Sequence, residues 1–465
     1  MKYISTRGDS PPLGFVETLL AGAAPDGGLY CPEAWPRLSA AEIVSLAGRP
    51  YAEVAADILG RFVDDEIPDD TLRDLCAKAY ASFDHPAVTP LVQLAPDRFL
   101  LELFHGPTLA FKDVAMQILG RLYAHVLAAS GRTMTIVCAT SGDTGGAAVE
   151  AFAGLDHVRI VVLFPEGRIS EVQRRFMTTT AEANVRSVAV AGDFDDCQAI
   201  LKALFQDGAF ARALNLTAVN SINFARIVAQ CVYYFTAAVA LGGPGRAVDF
   251  AVPTGNFGDA FAGYAARRMG LPIGRIIVAT NANDIVARGL GSGDYRRGTA
   301  VATQSPAMDI QVASNFERLF FESAGRDAAL TAGVFRDFAA RGAVTLPTEV
   351  RKAMGETFVG TVVSEVETAR TLMDIHHLTG EIIDPHTAIA VAGARKVRPA
   401  ASRVPLVVVS TAHPAKFPEA VGAALGVTAT APPAVRRRAA LAERIDRLPA
   451  DPEAIKDYVR AFARQ

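Results

Sequence analysis

The chain has 465 residues, 50% of them hydrophobic and 20% charged, with a formal net charge of −3. That length holds roughly three units of about 150 residues, and so small a charge gives nucleic acid or an anionic membrane no global attraction, which leaves any anionic ligand to local devices. Five scattered cysteines (Cys31, Cys76, Cys138, Cys197, Cys231) form no Cys-x-x-Cys pair, and neither a signal-peptide stretch nor a run of about 18 apolar residues occurs, so a cytoplasmic chain with reduced thiols, no metal site and no membrane span is expected.

Along the chain, apolar residues recur at helical intervals over 40–83 (Ile43, Leu46, Val54, Ile58, Leu59, Phe62, Leu72, Leu75, Tyr80), punctuated by Pro50, Pro68 and Pro86. This predicts a mainly helical N-terminal domain over 1–88. From about 98 the texture changes. Phe99–Leu103, Thr135–Cys138, Arg159–Phe164, Val185–Val190, Val248–Val252, Arg275–Thr280 and Leu406–Ser410 read as buried strands, and 112–129, 143–154, 195–206, 222–240 and 259–269 as the helices between them. Such alternation predicts an α/β fold of parallel sheets covered on both faces. The core is expected over 89–425 as two interleaved lobes, the smaller over about 115–235, with 310–380 as helical decoration that does not extend the sheets. A C-terminal helical tail is expected over 426–465, opening on the basic run Arg436-Arg437-Arg438.

Chemistry concentrates in four segments. In Phe104-His-Gly-Pro-Thr-Leu-Ala-Phe-Lys-Asp113 a single lysine, Lys112, sits among Leu109, Ala110, Phe111, Val114 and Ala115. Apolar surroundings disfavour an ammonium and favour the neutral amine that Schiff-base chemistry needs. No other lysine is expected close enough to replace it. Ala139-Thr140-Ser141-Gly142-Asp143-Thr144-Gly145-Gly146 joins a strand to an Ala-rich helix, an arrangement that offers free backbone N–H groups and hydroxyls to an anion. Pro253-Thr254-Gly255-Asn256-Phe257-Gly258-Asp259 repeats it, with two glycines that let successive N–H groups converge.

The segment Asn220-Ser221-Ile222-Asn223-Phe224-Ala225-Arg226 stands at the mouth of an apolar helix. Asn220 and Ser221 offer cap chemistry there, and Arg226 is either a surface residue or the fork of a second phosphate site. Last, Ser410-Thr411-Ala412-His413-Pro414 lies at the C-terminal end of a strand, the edge where ligands sit in open α/β sheets. His105 and His413 read as pocket-wall residues. The adjacent pair His376-His377 points its rings apart on a helix, which is poor metal geometry.

These segments, with Ser5-Thr6-Arg7-Gly8, Ala24-Pro25-Asp26-Gly27-Gly28-Leu29-Tyr30 and 411–417, fall in one order nearly end to end. In this the chain resembles the threonine synthases, pyridoxal-phosphate enzymes of the tryptophan-synthase-β fold group, and among them the branch with the longer N-terminal domain. The resemblance implies a PLP fold type II core and pyridoxal 5′-phosphate held by Lys112 as a Schiff base. It places Gly255, Asn256, Phe257, Gly258 and Asp259 at the cofactor phosphate and the Thr411 hydroxyl at the ring nitrogen. Thr140, Ser141, Asp143 and Thr144 would meet substrate and ring edge, with Asn220, Ser221 and Arg226 at the substrate phosphate. One position departs: residue 143 is Asp, where the shorter branch and related dehydratases carry Asn beside the cofactor O3′. The implied reaction converts O-phospho-L-homoserine and water to L-threonine and phosphate, in a monomer or weak homodimer. A phospholyase or dehydratase on the same scaffold, or a silent binding relative, are the alternatives; an intact Lys112 and two anion loops weigh against the silent one.

Overall fold

The computed structural model describes residues 1–399 and 401–464. Two sheets organise the chain. The larger has the spatial order Phe358–Val362, Ile273–Thr280, Val248–Pro253, Leu406–Ser410, Arg98–Glu102, Leu91–Ala95, parallel throughout except for its last pair. The smaller runs Asp446–Pro449, Val185–Ala191, Val158–Pro165, Met134–Ala139, Leu216–Thr217 and is wholly parallel. The α/β reading of the sequence holds, because central parallel strands bury both faces and so read as near-continuous apolar runs.

Alternate side chains of each strand serve opposite faces. In the larger sheet Phe250, Val252, Ile276, Val278, Val407 and Val409 pack toward the helices Phe224–Ala240 and Gly258–Arg268. Their neighbours Ala251, Ile277 and Val408 pack toward Glu365–Thr379 and Pro385–Val397. In the smaller sheet Ile136, Ile160 and Val162 face the helices Lys112–Ser130 and Asp143–Phe152, while Val137, Val161 and Val188 face Phe194–Gln206 and Pro452–Ala463. Each buried Val, Leu or Ile contributes roughly 1.5–3 kcal/mol of transfer free energy.

The N-terminal segment is mainly helical, with Tyr51–Val63 and Asp69–Tyr80 as its longest helices, and it also carries the antiparallel pair Tyr3–Ser5 and Tyr30–Pro32. It is tied to the core through Glu317, which accepts from Thr6 Oγ1 at 2.7 Å and pairs with Arg7 at 2.8 Å. Two expectations need correction. The 310–380 segment does extend a sheet, since Phe358–Val362 forms the edge of the larger one. The tail after 425 is not only helical, since Asp446–Pro449 closes the smaller sheet beside Val185–Ala191. Both are edge strands: Asp446–Pro449 is short and mostly polar and carries no strand signal, whereas Phe358–Val362 has strand-like residues (Phe358, Val359, Thr361, Val362) in a stretch that otherwise reads as helical.

Gly120 sits inside the helix Lys112–Ser130 where a Cβ would lie 2.4 Å from the Ala151 carbonyl oxygen of the adjacent helix. Backbone cannot swing aside as a flexible side chain can. Gly120→Ala is expected to destabilise by about 1–3 kcal/mol, seen as a lower urea midpoint at unchanged slope; an unchanged midpoint would show that the two helices separate freely.

Candidate active site

Parallel strands present their C-terminal ends on one side, and loops from both sheets meet there around one cavity of about 1040 Å³, counting its open mouth. Every residue given a cofactor or substrate role from the sequence lines it: Lys112; Thr140, Ser141, Asp143 and Thr144; Asn220, Ser221 and Arg226; Gly255 to Asp259; and Thr411.

Lys112 is the first residue of its helix, and the loop before it is stitched to the end of the strand Leu406–Ser410. Leu103 N–H donates to Ser410 O (2.9 Å), Phe111 N–H to Thr411 O (2.8 Å) and His413 N–H to Leu109 O (3.1 Å). Within the loop the buried Asp113 carboxylate accepts from Thr108 N–H (2.8 Å) and Thr108 Oγ1 (2.6 Å). Leu109, Ala110, Val114 and Ala115 are buried around Lys112, itself 8% exposed, with its Nζ 4.6 Å from the centre of the Phe111 ring. Burial lowers the Lys112 pKa from the usual lysine value against the pull of Asp143, and the charges of Lys416 and Arg226 push the same way as burial.

In neither strand-to-helix loop does the N-cap residue itself, Gly142 or Phe257, give a side-chain cap bond. At the helix Gly258–Arg268 the cap residue Phe257 holds φ +64°, and its side chain makes no cap bond. Asn256 O accepts from the backbone and side-chain N–H groups of Asn315, both at 3.1 Å, which pins the loop from behind. A side chain at Gly255 would meet Ala307 O at 2.8 Å, so the chain passes too close for any Cβ. The Asp259 carboxylate turns to the hydroxyls of Tyr233 (2.5 Å) and Tyr234 (2.8 Å) and burial pushes it up to about 6, so in this loop the backbone N–H groups are what an anion can use. In the 140–144 loop the Thr140 hydroxyl oxygen accepts from Gly142 and Gly145 N–H, each at 2.9 Å, and so braces the turn.

Asn223, not Asn220 or Ser221, caps the helix Phe224–Ala240, accepting from Ala225 N–H at 3.1 Å. That leaves Asn220 and Ser221 turned to the cavity, with Asn220 Oδ1 buried and unpartnered. Arg226 is buried at 3% exposure rather than on the surface. Its Nη1 donates to Val219 O at 3.2 Å, its Nε has no partner among the described residues, and burial pushes its pKa down to about 10. A guanidinium so placed is costly unless an anion joins it.

Residues that the sequence did not single out complete the site. His386 lines the cavity at 3% exposure. Its Nδ1 is held by Asp384 at 2.8 Å and its Nε2 is unpartnered. Gln230, one turn beyond Arg226, also lines the cavity with Oε1 unpartnered. Lys416 lies behind the site, 2.7 Å from Asp143, and corrects the expectation that no second lysine is close. Phe194 and Gln198 come from the helix beyond Val185–Ala191. His105 and His413 are not in the wall: His105 pairs with Glu102 (2.7 Å), and His413 accepts from Ala415 N–H (3.1 Å) with its pKa pushed down by burial to about 4. The signal for His386 was its Asp-Pro-His-Thr context, a helix start beside a histidine.

A buried amine with weakened hold on its proton, flanked by an uncapped Gly-rich helix start and a buried guanidinium, suits a carbonyl-bearing phosphate compound together with a second phosphate. Asn220, Arg226, Gln230, Asp259 and His386, each with a buried polar atom that has no partner among the described residues, all line this cavity, so the residues present fit pyridoxal phosphate with a polar substrate. The sequence profile of pyridoxal-phosphate dependent enzymes matches residues 83–411, which is the class that fold and site define. The profiles described as threonine synthase N terminus and threonine synthase, C-terminal match 2–80 and 387–459. The threonine synthase of Pseudomonas aeruginosa is 50% identical over 421 residues, 90% of either chain. The PLP-bound threonine synthase of Brucella melitensis matches with a TM-score of 0.96 and 50% identity over 100% of both chains, and the yeast threonine synthase with 0.93 and 37% over 99% and 98%. The chain belongs to the threonine synthase family.

Proposed function

We propose that the chain converts O-phospho-L-homoserine and water to L-threonine and phosphate, using pyridoxal 5′-phosphate. The observation that carries this reading is Arg226: a buried guanidinium whose Nε has no partner among the described residues, in the same cavity as Lys112 but on the helix Phe224–Ala240, apart from the Gly255–Gly258 loop. Two anion sites flanking one amine suit a phosphorylated cofactor and a phosphorylated substrate together, whereas a dehydratase of unphosphorylated amino acids has no use for the second.

Pyridoxal phosphate, when bound, supplies an electron sink for charge developing beside the substrate amine. Lys112 is the residue that would hold it, with the backbone N–H groups of 255–258 on its phosphate and the Thr411 hydroxyl at its ring nitrogen. Freed from that role, the Lys112 amine takes and returns protons at substrate Cα and Cβ, its pKa already lowered toward the working range by burial. Arg226, with Asn220 and Ser221, grips the substrate phosphate and stays with it as it leaves Cγ. Ser141 and Thr144 meet the rest of the substrate from the opposite loop. Asp143 stands beside Lys112 as a fixed anion.

A small-molecule enzyme working as a monomer or weak homodimer in the cytoplasm, without nucleic acid or membrane partners, suits the net charge of −3 and five free buried thiols. No helix among the described residues is long and apolar enough to cross a membrane. The test is product analysis: holoprotein supplied with O-phospho-L-homoserine is expected to release threonine and phosphate in equal amounts. Release of 2-oxobutyrate as the main product would instead assign a lyase without the water-addition step.

A further inference from the structure

Lys416 is 1% exposed and does not line the cavity, yet it reaches the site through one atom. It sits on the short helical turn Pro414–Lys416 that follows the central strand Leu406–Ser410 of the larger sheet. Asp143 opens a helix of the smaller sheet's lobe. Between them Lys416 Nζ lies 2.7 Å from Asp143 Oδ1 and donates to Thr108 O at 2.8 Å, and Gln173 Nε2 donates to the same Asp143 oxygen at 3.0 Å. The other carboxylate oxygen faces Lys112 Nζ at 3.5 Å.

We propose that Lys416 is a positioning residue for the reaction, holding the Asp143 carboxylate in place beside Lys112 as an already compensated anion. This rests on the role given above to Lys112. A lone buried carboxylate next to the amine would draw a proton onto it and fix it as the ammonium, the form that neither attacks a carbonyl nor takes a proton from carbon. With its charge answered by Lys416, Asp143 steadies the ammonium that forms when Lys112 accepts a substrate proton, and lets that proton go again. The same pairing accounts for a carboxylate at this buried position: an amide there would need no counter-charge, whereas a buried carboxylate does. It also leaves the Arg226 charge free for a ligand anion.

The charged and titratable groups around this array are consistent with that division. Lys112 feels Asp143, Lys416 and Arg226, with Asp259 and the His386 ring bordering the same cavity. Lys416 is faced by Asp113 and His413. Burial would raise the Asp143 pKa, but Lys416 and Lys112 together hold it well below the carboxylate range.

The experiment uses the full chain with Lys416→Met, Asp143→Asn, the double variant and Lys416→Arg. In cofactor-free protein, the pH dependence of acetic anhydride labelling at Lys112, read by mass spectrometry, should move in opposite directions. Lys416→Met removes a like charge and raises the midpoint; Asp143→Asn removes an attracting charge and lowers it; each by about one unit, as close charges do. In the holoenzyme Lys416→Met should lower kcat ~10–100-fold with KM within about threefold. The double variant should be more active than Lys416→Met, because no charge is left alone, and Lys416→Arg should recover part of kcat. Should Lys416→Met fail to fold, Asp143→Asn, the double variant and Lys416→Arg carry the same comparison. Midpoints that do not move, or move together, or a Lys416→Met kcat within twofold of the parent, would overturn the proposal. A wild-type holoprotein whose cofactor is attached elsewhere than Lys112 would overturn the reading beneath it, and needs no variant to detect.

Discussion

Lys112→Ala is expected to abolish turnover of O-phospho-L-homoserine. On the roles proposed for Lys112, the variant loses both the group that would hold the cofactor and the acid–base at substrate carbon; the second role alone accounts for about 10²–10⁴-fold. Lys416 is the nearest potential substitute, and it is a poor one. Its ammonium is committed to Asp143 and Thr108 O, it is buried outside the cavity wall, and moving it would strand the Asp143 carboxylate. Folding should survive, since the change removes a desolvated amine rather than a packing side chain; thermal unfolding of the cofactor-free variant near that of the parent would show this. Borohydride reduction of the native holoprotein, digestion and mass spectrometry should place the label on Lys112. A label on Lys416, Lys78 or Lys202, or a variant that keeps its rate, would end the assignment.

Much of this was legible in the sequence for a definite reason. Strands such as Met134–Ala139 and Leu406–Ser410 lie inside their sheets, so both faces are buried and the run is apolar but for Thr135 and the terminal Ser410. The loops after them are small and polar because backbone must come close to a ligand, and that too is local. What escaped is what depends on partners far along the chain. Asp446–Pro449 carries two charged residues and ends on a proline, and does not read as a strand until its neighbour is in place; Phe358–Val362 has strand-like residues but is broken by Gly360, where a Cβ would touch Ala287 Cα at 2.8 Å, and which edge it joins is set only by the distant strand Ile273–Thr280. Asn223 rather than Asn220 took the cap because its amide also meets Leu19 O at 2.8 Å, a contact no local pattern announces. Lys416 stands in a segment whose sequence gives no sign that it turns toward residue 143 to neutralise a carboxylate, whereas His386 is held by Asp384 only two residues away, a local signal in Asp-Pro-His-Thr that the sequence reading passed over.

Arg226→Ala should separate the two phosphate sites. If the guanidinium grips the substrate phosphate, its loss removes a charge-assisted bond worth roughly 1.5–3 kcal/mol, or about 10- to 150-fold in kcat/KM at ~1.4 kcal/mol per decade. Cofactor affinity should hardly change if, as proposed, the cofactor phosphate sits on the Gly255–Gly258 loop, which is pinned by Asn315 and Ala307. Arg226→Lys should recover only part of the loss, since an ammonium cannot reproduce the planar fork. A second measurement is independent of turnover. Inorganic phosphate should raise the Tm of the wild-type holoprotein, in which the cofactor already fills its own phosphate site, and this rise should vanish in Arg226→Ala. The ligand-free variant, by contrast, should unfold no earlier than the parent: it gives up one bond to Val219 O but is relieved of a buried charge whose Nε has no partner. Weakened cofactor binding with unchanged substrate kinetics would move Arg226 to the other phosphate, and with it the distinction between a threonine synthase and a dehydratase at this site would lose its structural basis.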